Sequence, residues 1–215
     1  MASIIFDLDG TLIDSAPDIQ TVANAVLAEF GAAPLSLKQT RGFIGNGAAV
    51  FVQRMFALRE LPHADLAPAL QQFLQRYEGA VSLTKPFPGV RQCLEDLLGQ
   101  GHSLGICTNK PLKPTHAVLQ HLNLAGYFQV IVGGDSLPMR KPDPAPLMAV
   151  ATELKHAKVV FVGDSEVDAK TAQAAGVPFW LFENGYRKSP IALIPHDIVF
   201  AEFAELGGLA ATVTP

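Results

Sequence analysis

Asp7 and Asp9 stand two residues apart at the end of an apolar run, in IIFDLDGTLID (residues 4–14), with Gly10 directly after them. On a strand, residues at that spacing point to the same side. The two carboxylates would therefore crowd each other where Ile4, Ile5, Phe6 and Leu8 mark a buried strand. Such repulsion raises one pKa and costs stability. A cation relieves it, and so does a reaction that needs one carboxylate ionised and its neighbour able to take a proton; the two remedies are compatible. An exposed Asp-Gly turn has the same local sequence, so the rest of the chain must decide.

Three later segments place polar groups at or just beyond apolar runs: Thr108 and Asn109 in CTNKP, Lys141 in MRKPDPAPL, and Asp164 with Asp168 in VGDSEVD. Carboxylates, a hydroxyl, an amide and an ammonium, gathered on one sheet edge, can hold a magnesium ion and a phosphate together. Magnesium prefers oxygen ligands and shares its octahedron among carboxylates, waters and phosphate. Asp7 and Asp164 are the natural pair. Asp168, one helical turn after Asp164, is placed to orient a metal-bound water or to serve as a helix N-terminal acid. Thr108 and Asn109, just before Pro111, fit the first turn of a helix, where free N–H groups attract anions or a side chain caps. Lys110 is placed to guide an anionic substrate or to be solvated. Pro142 and Pro144 hold Lys141 in a constrained loop, where it can neutralise both Asp7 and a phosphate oxygen. Asp143 is expected to cap the following helix.

Competing motifs fail residue by residue. DLDGTLIDSAPD begins like a calcium loop but has Leu12 where Gly and Asp18 where Glu are needed. GFIGNGAAV lacks both the G-K-[ST] of a phosphate loop and the dinucleotide pattern. GDSEV lacks the last glycine of a nucleophile elbow.

These residues must be positioned by elements. Four β-rich runs, SIIFDLDG, HSLGICTN, FQVIVGGD and KVVFVGDS, and two weaker ones, PFWLFEN and HDIVF, are apolar enough for strands buried on both faces. Helical stretches alternate with the later ones, at 90–100, 112–122, 144–155 and 167–175. This rhythm predicts an α/β fold, a doubly wound parallel sheet with a Rossmann-like core. Residues 16–83 break it with helical patterns alone. We therefore expect a core of 1–15 and 84–215 and a small helical cap of 16–83, inserted after the first strand above the carboxyl ends where such sheets bind ligands.

Lys plus Arg numbers 16 and Asp plus Glu 20, a net charge of −4, which argues against nucleic acid as a partner. Cys93 and Cys107 fit neither a zinc site nor a disulfide framework, in keeping with a reduced, cytoplasmic setting. No secretory signal pattern opens the chain and no apolar run reaches membrane-spanning length.

DLDGT from Asp7, Thr108 with Asn109, Lys141 in KPDP and GDSEVD from Gly163 resemble, in order, the four motifs of the haloacid dehalogenase-like hydrolase superfamily, and within it the phosphoglycolate phosphatases. The resemblance spans almost the whole chain. It implies magnesium-dependent hydrolysis of a small phosphorylated metabolite, 2-phosphoglycolate, by a monomer or homodimer. Asp143 departs from the His often found at its position, which weakens the substrate assignment and leaves the chemistry alone. By this resemblance Asp7 is the nucleophile and forms an aspartyl-phosphate, and Asp9 is the acid and base. Asp7, Asp164 and the backbone carbonyl of Asp9 hold the metal, with Asp168 beside them. Thr108, Asn109, Lys141 and the N–H groups near Leu8 and Gly10 grip the phosphate. The glycines of RGFIGNGAA let backbone approach closely, so Gly45, Asn46 and Gly47 form either a specificity loop or an ordinary turn. Arg41 either pairs with a substrate carboxylate or is a surface charge. A sugar-phosphate mutase of the same superfamily, or a phosphate-sensing module without catalysis, remains the alternative.

Overall fold

The computed structural model describes residues 1–212. Six strands form one parallel sheet: β1 (Ser3–Phe6), β4 (Ser103–Cys107), β5 (Val130–Val132), β6 (Val159–Gly163), β7 (Phe179–Phe182) and β8 (Ile198–Phe200). Their order is β5-β4-β1-β6-β7-β8. β1 lies at the centre, with Ile4 beside Leu104 on one side and Val160 on the other. The chain builds outward from β1 to β4 and β5, then returns to add β6, β7 and β8 on the opposite flank. This reversal is the crevice where open α/β sheets take ligands.

Continuous apolar runs make such strands because both faces are covered. Ile4 and Phe6 enter one apolar layer with Leu94 and Val118, from α5 (Val90–Gly99) and α6 (Leu112–His121). Ile5 points the other way, to Leu147, Val150 and Ala169, from α7 (Ala145–Leu154) and α8 (Glu166–Ala175). A last helix, α9 (Leu206–Thr212), packs on the α5 side. α8 stops at Gly176, which takes the left-handed geometry common at helix ends, with φ of 66°.

Between residues 15 and 84 lie four α-helices: α1 (Ala16–Glu29), α2 (Leu37–Phe43), α3 (Ala48–Leu58) and α4 (Leu66–Tyr77). They have their own apolar centre, in which Phe51, Phe73 and Tyr77 stack at successive ring distances of 5.3 Å. One core residue, Tyr186, joins it. The sequence did not announce how this cap is tied down. Its entry and exit pair as a short antiparallel ribbon, β2 (Ile13–Asp14) with β3 (Lys85–Pro86). Just inside, buried Asp18 accepts hydrogen bonds from Leu83 N at 3.0 Å, Thr84 N at 2.7 Å and Thr84 Oγ1 at 2.6 Å. No helix among the described residues is long and apolar enough to cross a membrane.

Candidate active site

β1 and β6 are neighbours in register, so Asp7 and Asp164, the first polar residues beyond each, emerge side by side. Asp168 joins them from the first turn of α8. Oxygens of the three buried carboxylates lie within 4.8 Å of one another. Each is fixed differently. Asp168 Oδ2 closes a capping box, accepting from Ser165 N at 3.1 Å and Ser165 Oγ at 2.6 Å. Asp164 accepts from Thr11 Oγ1 at 2.8 Å and from the N–H of Tyr186 at 2.5 Å. Asp7 Oδ1 is buried with no hydrogen-bond donor in line, although Lys141 Nζ stands 2.9 Å away as a countercharge.

Lys141 comes from the loop before α7, whose N-cap residue is Pro144 rather than the expected Asp143; Asp143, one residue earlier, accepts from Ala145 N at 2.8 Å. Its ammonium also contacts Asp168 Oδ1 at 2.6 Å. Burial alone would pull the Lys141 pKa down, but Asp168 and Asp7 more than reverse this and keep it charged. Desolvation pushes the Asp7 carboxyl up to about 7, against the attraction of Lys141 and with repulsion from Asp168 adding to it. Asp164 is driven well above the usual carboxylate range by burial, then by Asp168 and Asp7. Three carboxylates against one ammonium leave two negative charges uncompensated. With all three ionised, two further positive charges would be needed to balance the cluster.

Asp9 lies apart from this cluster. Its Oδ1 accepts from Ser15 Oγ at 2.6 Å and from Lys110 Nζ at 3.2 Å. Asp7 and Asp9 together separate two cavities. One, of about 10 Å³, adjoins Asp164, Glu166, Tyr186 and Lys188, close to the space that a single water needs, about 10–15 Å³. The other, of about 40 Å³, is floored by Thr108, Asn109 and Lys110 and roofed by Ile19, Ile44, Phe51 and Phe73 of the cap.

Most of the residues singled out in the sequence converge here, with several revisions of detail. Thr108 and Asn109 do not occupy a first helical turn: α6 begins at Leu112 with Pro111 as its N-cap residue. Asn109 instead brackets the site, its Nδ2 donating to the carbonyls of Gly45 at 3.0 Å and Lys141 at 2.9 Å. Gly45 and Gly47 line the larger cavity, and Gly47, at φ 85°, has little room for a side chain above the Asn109 carbonyl. Asn46 turns outward, held by Arg54 at 2.8 Å, into a separate groove. Arg41 is taken up by Asp14 at 2.8 Å and lies over the Tyr186 ring, away from both cavities. The N–H of Gly10 is spent on the Ile13 carbonyl at 2.9 Å, whereas that of Leu8 faces the Asp7 carboxylate. Lys110 is buried rather than solvated: it lines the larger cavity and shares its ammonium between Asp9 and Tyr77.

Sequence reading missed Thr11, Ser15, Tyr77, Gly185 and Tyr186. The hydroxyl of Tyr186 bonds to Asp14 and accepts from Ala16 N at 3.1 Å, so one residue touches both Asp164 and the entry to the cap. Its signal was available: NGYR follows the fifth apolar run, and polar groups beyond strand ends are the rule in this sheet.

The profile of the haloacid dehalogenase-like hydrolases matches residues 4–182. The phosphoglycolate phosphatase of Cereibacter sphaeroides is 47% identical over 212 residues, covering 97% of both chains. That of Rhodobacter capsulatus is 44% identical over 209 residues, covering 96% of this chain and 95% of its own. A crystal structure of a predicted phosphoglycolate phosphatase from Haemophilus somnus superposes with a TM-score of 0.91 at 33% identity, covering 98% of each chain. With the carboxylates at the tips of adjacent parallel strands and a helical cap above them, the chain belongs to the haloacid dehalogenase-like hydrolase family.

Proposed function

We propose that the protein is a magnesium-dependent phosphatase that hydrolyses 2-phosphoglycolate through a phosphoryl group carried on Asp7. The observation that carries this reading is the place of Asp7 between the two cavities, with a cluster short of two positive charges on one side and Thr108 and Asn109 on the other.

The donor set suits magnesium: oxygen ligands only, a buried Asp7 oxygen with no donor in line, and two negative charges to balance. Asp7, Asp164 and the backbone carbonyl of Asp9 would hold the ion, with Asp168 keeping Lys141 in place beside them. When bound, it neutralises the carboxylates and the incoming phosphate. Lys141 restrains Asp7 and presents charge to a phosphate oxygen, and Thr108 offers its hydroxyl from the floor. Asp7 attacks phosphorus, while Asp9 gives a proton to the leaving oxygen and later takes one from water. The apolar roof excludes bulk water. A cavity of about 40 Å³ admits only a small organic portion, and the phosphoglycolate phosphatases named above support glycolate.

Phosphate release from a panel of small phosphomonoesters tests the reading. We expect 2-phosphoglycolate to lead the panel, Mg²⁺ to be required, and peptide mass mapping to place the trapped phosphoryl group on Asp7. Asp7→Asn, checked by mass against deamidation, should lose roughly 10⁴–10⁶-fold in kcat. Isomerised sugar phosphate without net phosphate release would reveal a mutase instead.

A further inference from the structure

We propose that Tyr77 is a positioning residue: through the buried ammonium of Lys110 it fixes the carboxylate of Asp9. This rests on the phosphatase reading, in which Asp9 carries the proton. Tyr77 ends α4 and is buried against Phe73. Its hydroxyl accepts from Lys110 Nζ, and the same ammonium lies 4.2 Å from the centre of its ring. Lys110 in turn reaches Asp9 Oδ1 at 3.2 Å, with its side chain only 2% exposed.

A buried ammonium is costly unless it finds a countercharge and hydrogen-bond acceptors. Asp9 is the countercharge. Tyr77 supplies an acceptor and an electron-rich ring face that attracts cations. Without the Tyr77 hydroxyl, Lys110 has reason to swing away from Asp9. Ser15 Oγ donates to the same oxygen, and holding Oδ1 from two directions leaves Oδ2 to carry the proton. The anchor reaches across from the cap, so the proton carrier of the core is seated by a residue that the core does not own.

The step that depends on this seating can be isolated. As the bond from Asp7 oxygen to phosphorus forms, the bond from phosphorus to the ester oxygen breaks, and its electron pair stays on that oxygen. A departing alkoxide, as from 2-phosphoglycolate, then takes the proton of Asp9. Acetate departing from acetyl phosphate is weakly basic and leaves with the electron pair unprotonated. In the second half-reaction water attacks phosphorus, Asp9 takes its proton, and the electron pair of the broken phosphorus–oxygen bond returns to Asp7.

The experiment is a single-turnover quench on the Mg²⁺-loaded protein, following release of glycolate from 2-phosphoglycolate and of acetate from acetyl phosphate at saturating concentrations. Tyr77→Phe keeps the ring and removes only the hydroxyl. Glycolate release should slow about 10–100-fold, a part of what general acid catalysis contributes, and by roughly tenfold or more beyond any slowing of acetate release. Lys110→Gln, which leaves Tyr77 in place, should repeat that selectivity; thermal melts establish that both variants are folded. Equal slowing on both compounds, or none, in folded variants overturns the inference alone. A wild-type protein that releases neither product overturns the phosphatase reading and the inference with it.

Discussion

Gly185 packs so tightly on Asp164 that a methyl group on its α carbon would lie 2.2 Å from Asp164 Cβ and 2.5 Å from Oδ2. The next residue, Tyr186, donates its N–H to that same oxygen. Main chain therefore sets the direction of this carboxylate. Gly185→Ala should displace it and weaken Mg²⁺ binding about 10–100-fold, the usual scale for disturbing the surroundings of a metal ligand, with the far-ultraviolet circular dichroism unchanged. Titration calorimetry with Mg²⁺ checks this. Wild-type affinity in the variant would show that Asp164 does not depend on the close approach.

The acidic cluster should also make stability depend on pH in an unusual direction. The Asp7 carboxyl is raised from 3.8 to about 7 in the folded protein, so the fold holds its proton more tightly than the unfolded chain does. That contribution is complete below the unfolded value and is lost as pH rises through the folded one. Asp164 shifts in the same direction. Chelator-treated protein should therefore melt at a lower temperature near pH ~8 than near pH ~5. Mg²⁺ should raise the melting temperature more at the higher pH. At a hundredfold excess over Kd the gain is about 2.7 kcal/mol, or about 5–10 °C for a chain of this size. Melts with no metal response at either pH would count against a divalent site.

Lys141 bridges Asp7 and Asp168 with both contacts buried. Removing one partner of a buried ion pair leaves charge stranded, at a cost of about 3–5 kcal/mol. Lys141→Met should lose that much in urea denaturation of the metal-free protein, and less under acidic conditions, where the carboxylates protonate. A loss below about 1 kcal/mol would mean that water or rearrangement already serves the two acids.

Strands and helices were legible wherever burial acts through local pattern. SIIF, VVFVG and FWLF are apolar on both faces because helices cover both faces, and even the short HDIVF run forms an edge strand. Asp7 and Asp164 were legible because strand tips in a parallel sheet share one edge, and Lys141 because the loop between β5 and α7 returns to that edge. What stayed hidden depends on chain segments far apart meeting in space. Thr11 reaches Asp164 across 153 positions and Tyr186 reaches Asp14 across 172, and no spacing rule covers such distances. Arg41 and Lys110 each kept two readings open for the same reason: a cation looks available until the acid beside it is known. The ribbon of β2 and β3 escaped because two-residue strands carry no periodicity.

That ribbon gives the cap the character of a cassette. Its two ends leave the core as adjacent strands, about 5 Å apart as paired strands are, and Asp18 stitches them together just beyond. A foreign segment with similarly spaced ends could be spliced in without tearing the sheet or shifting Asp7. Diversification of what is recognised and conservation of how phosphorus is attacked can thus proceed in separate stretches of one gene.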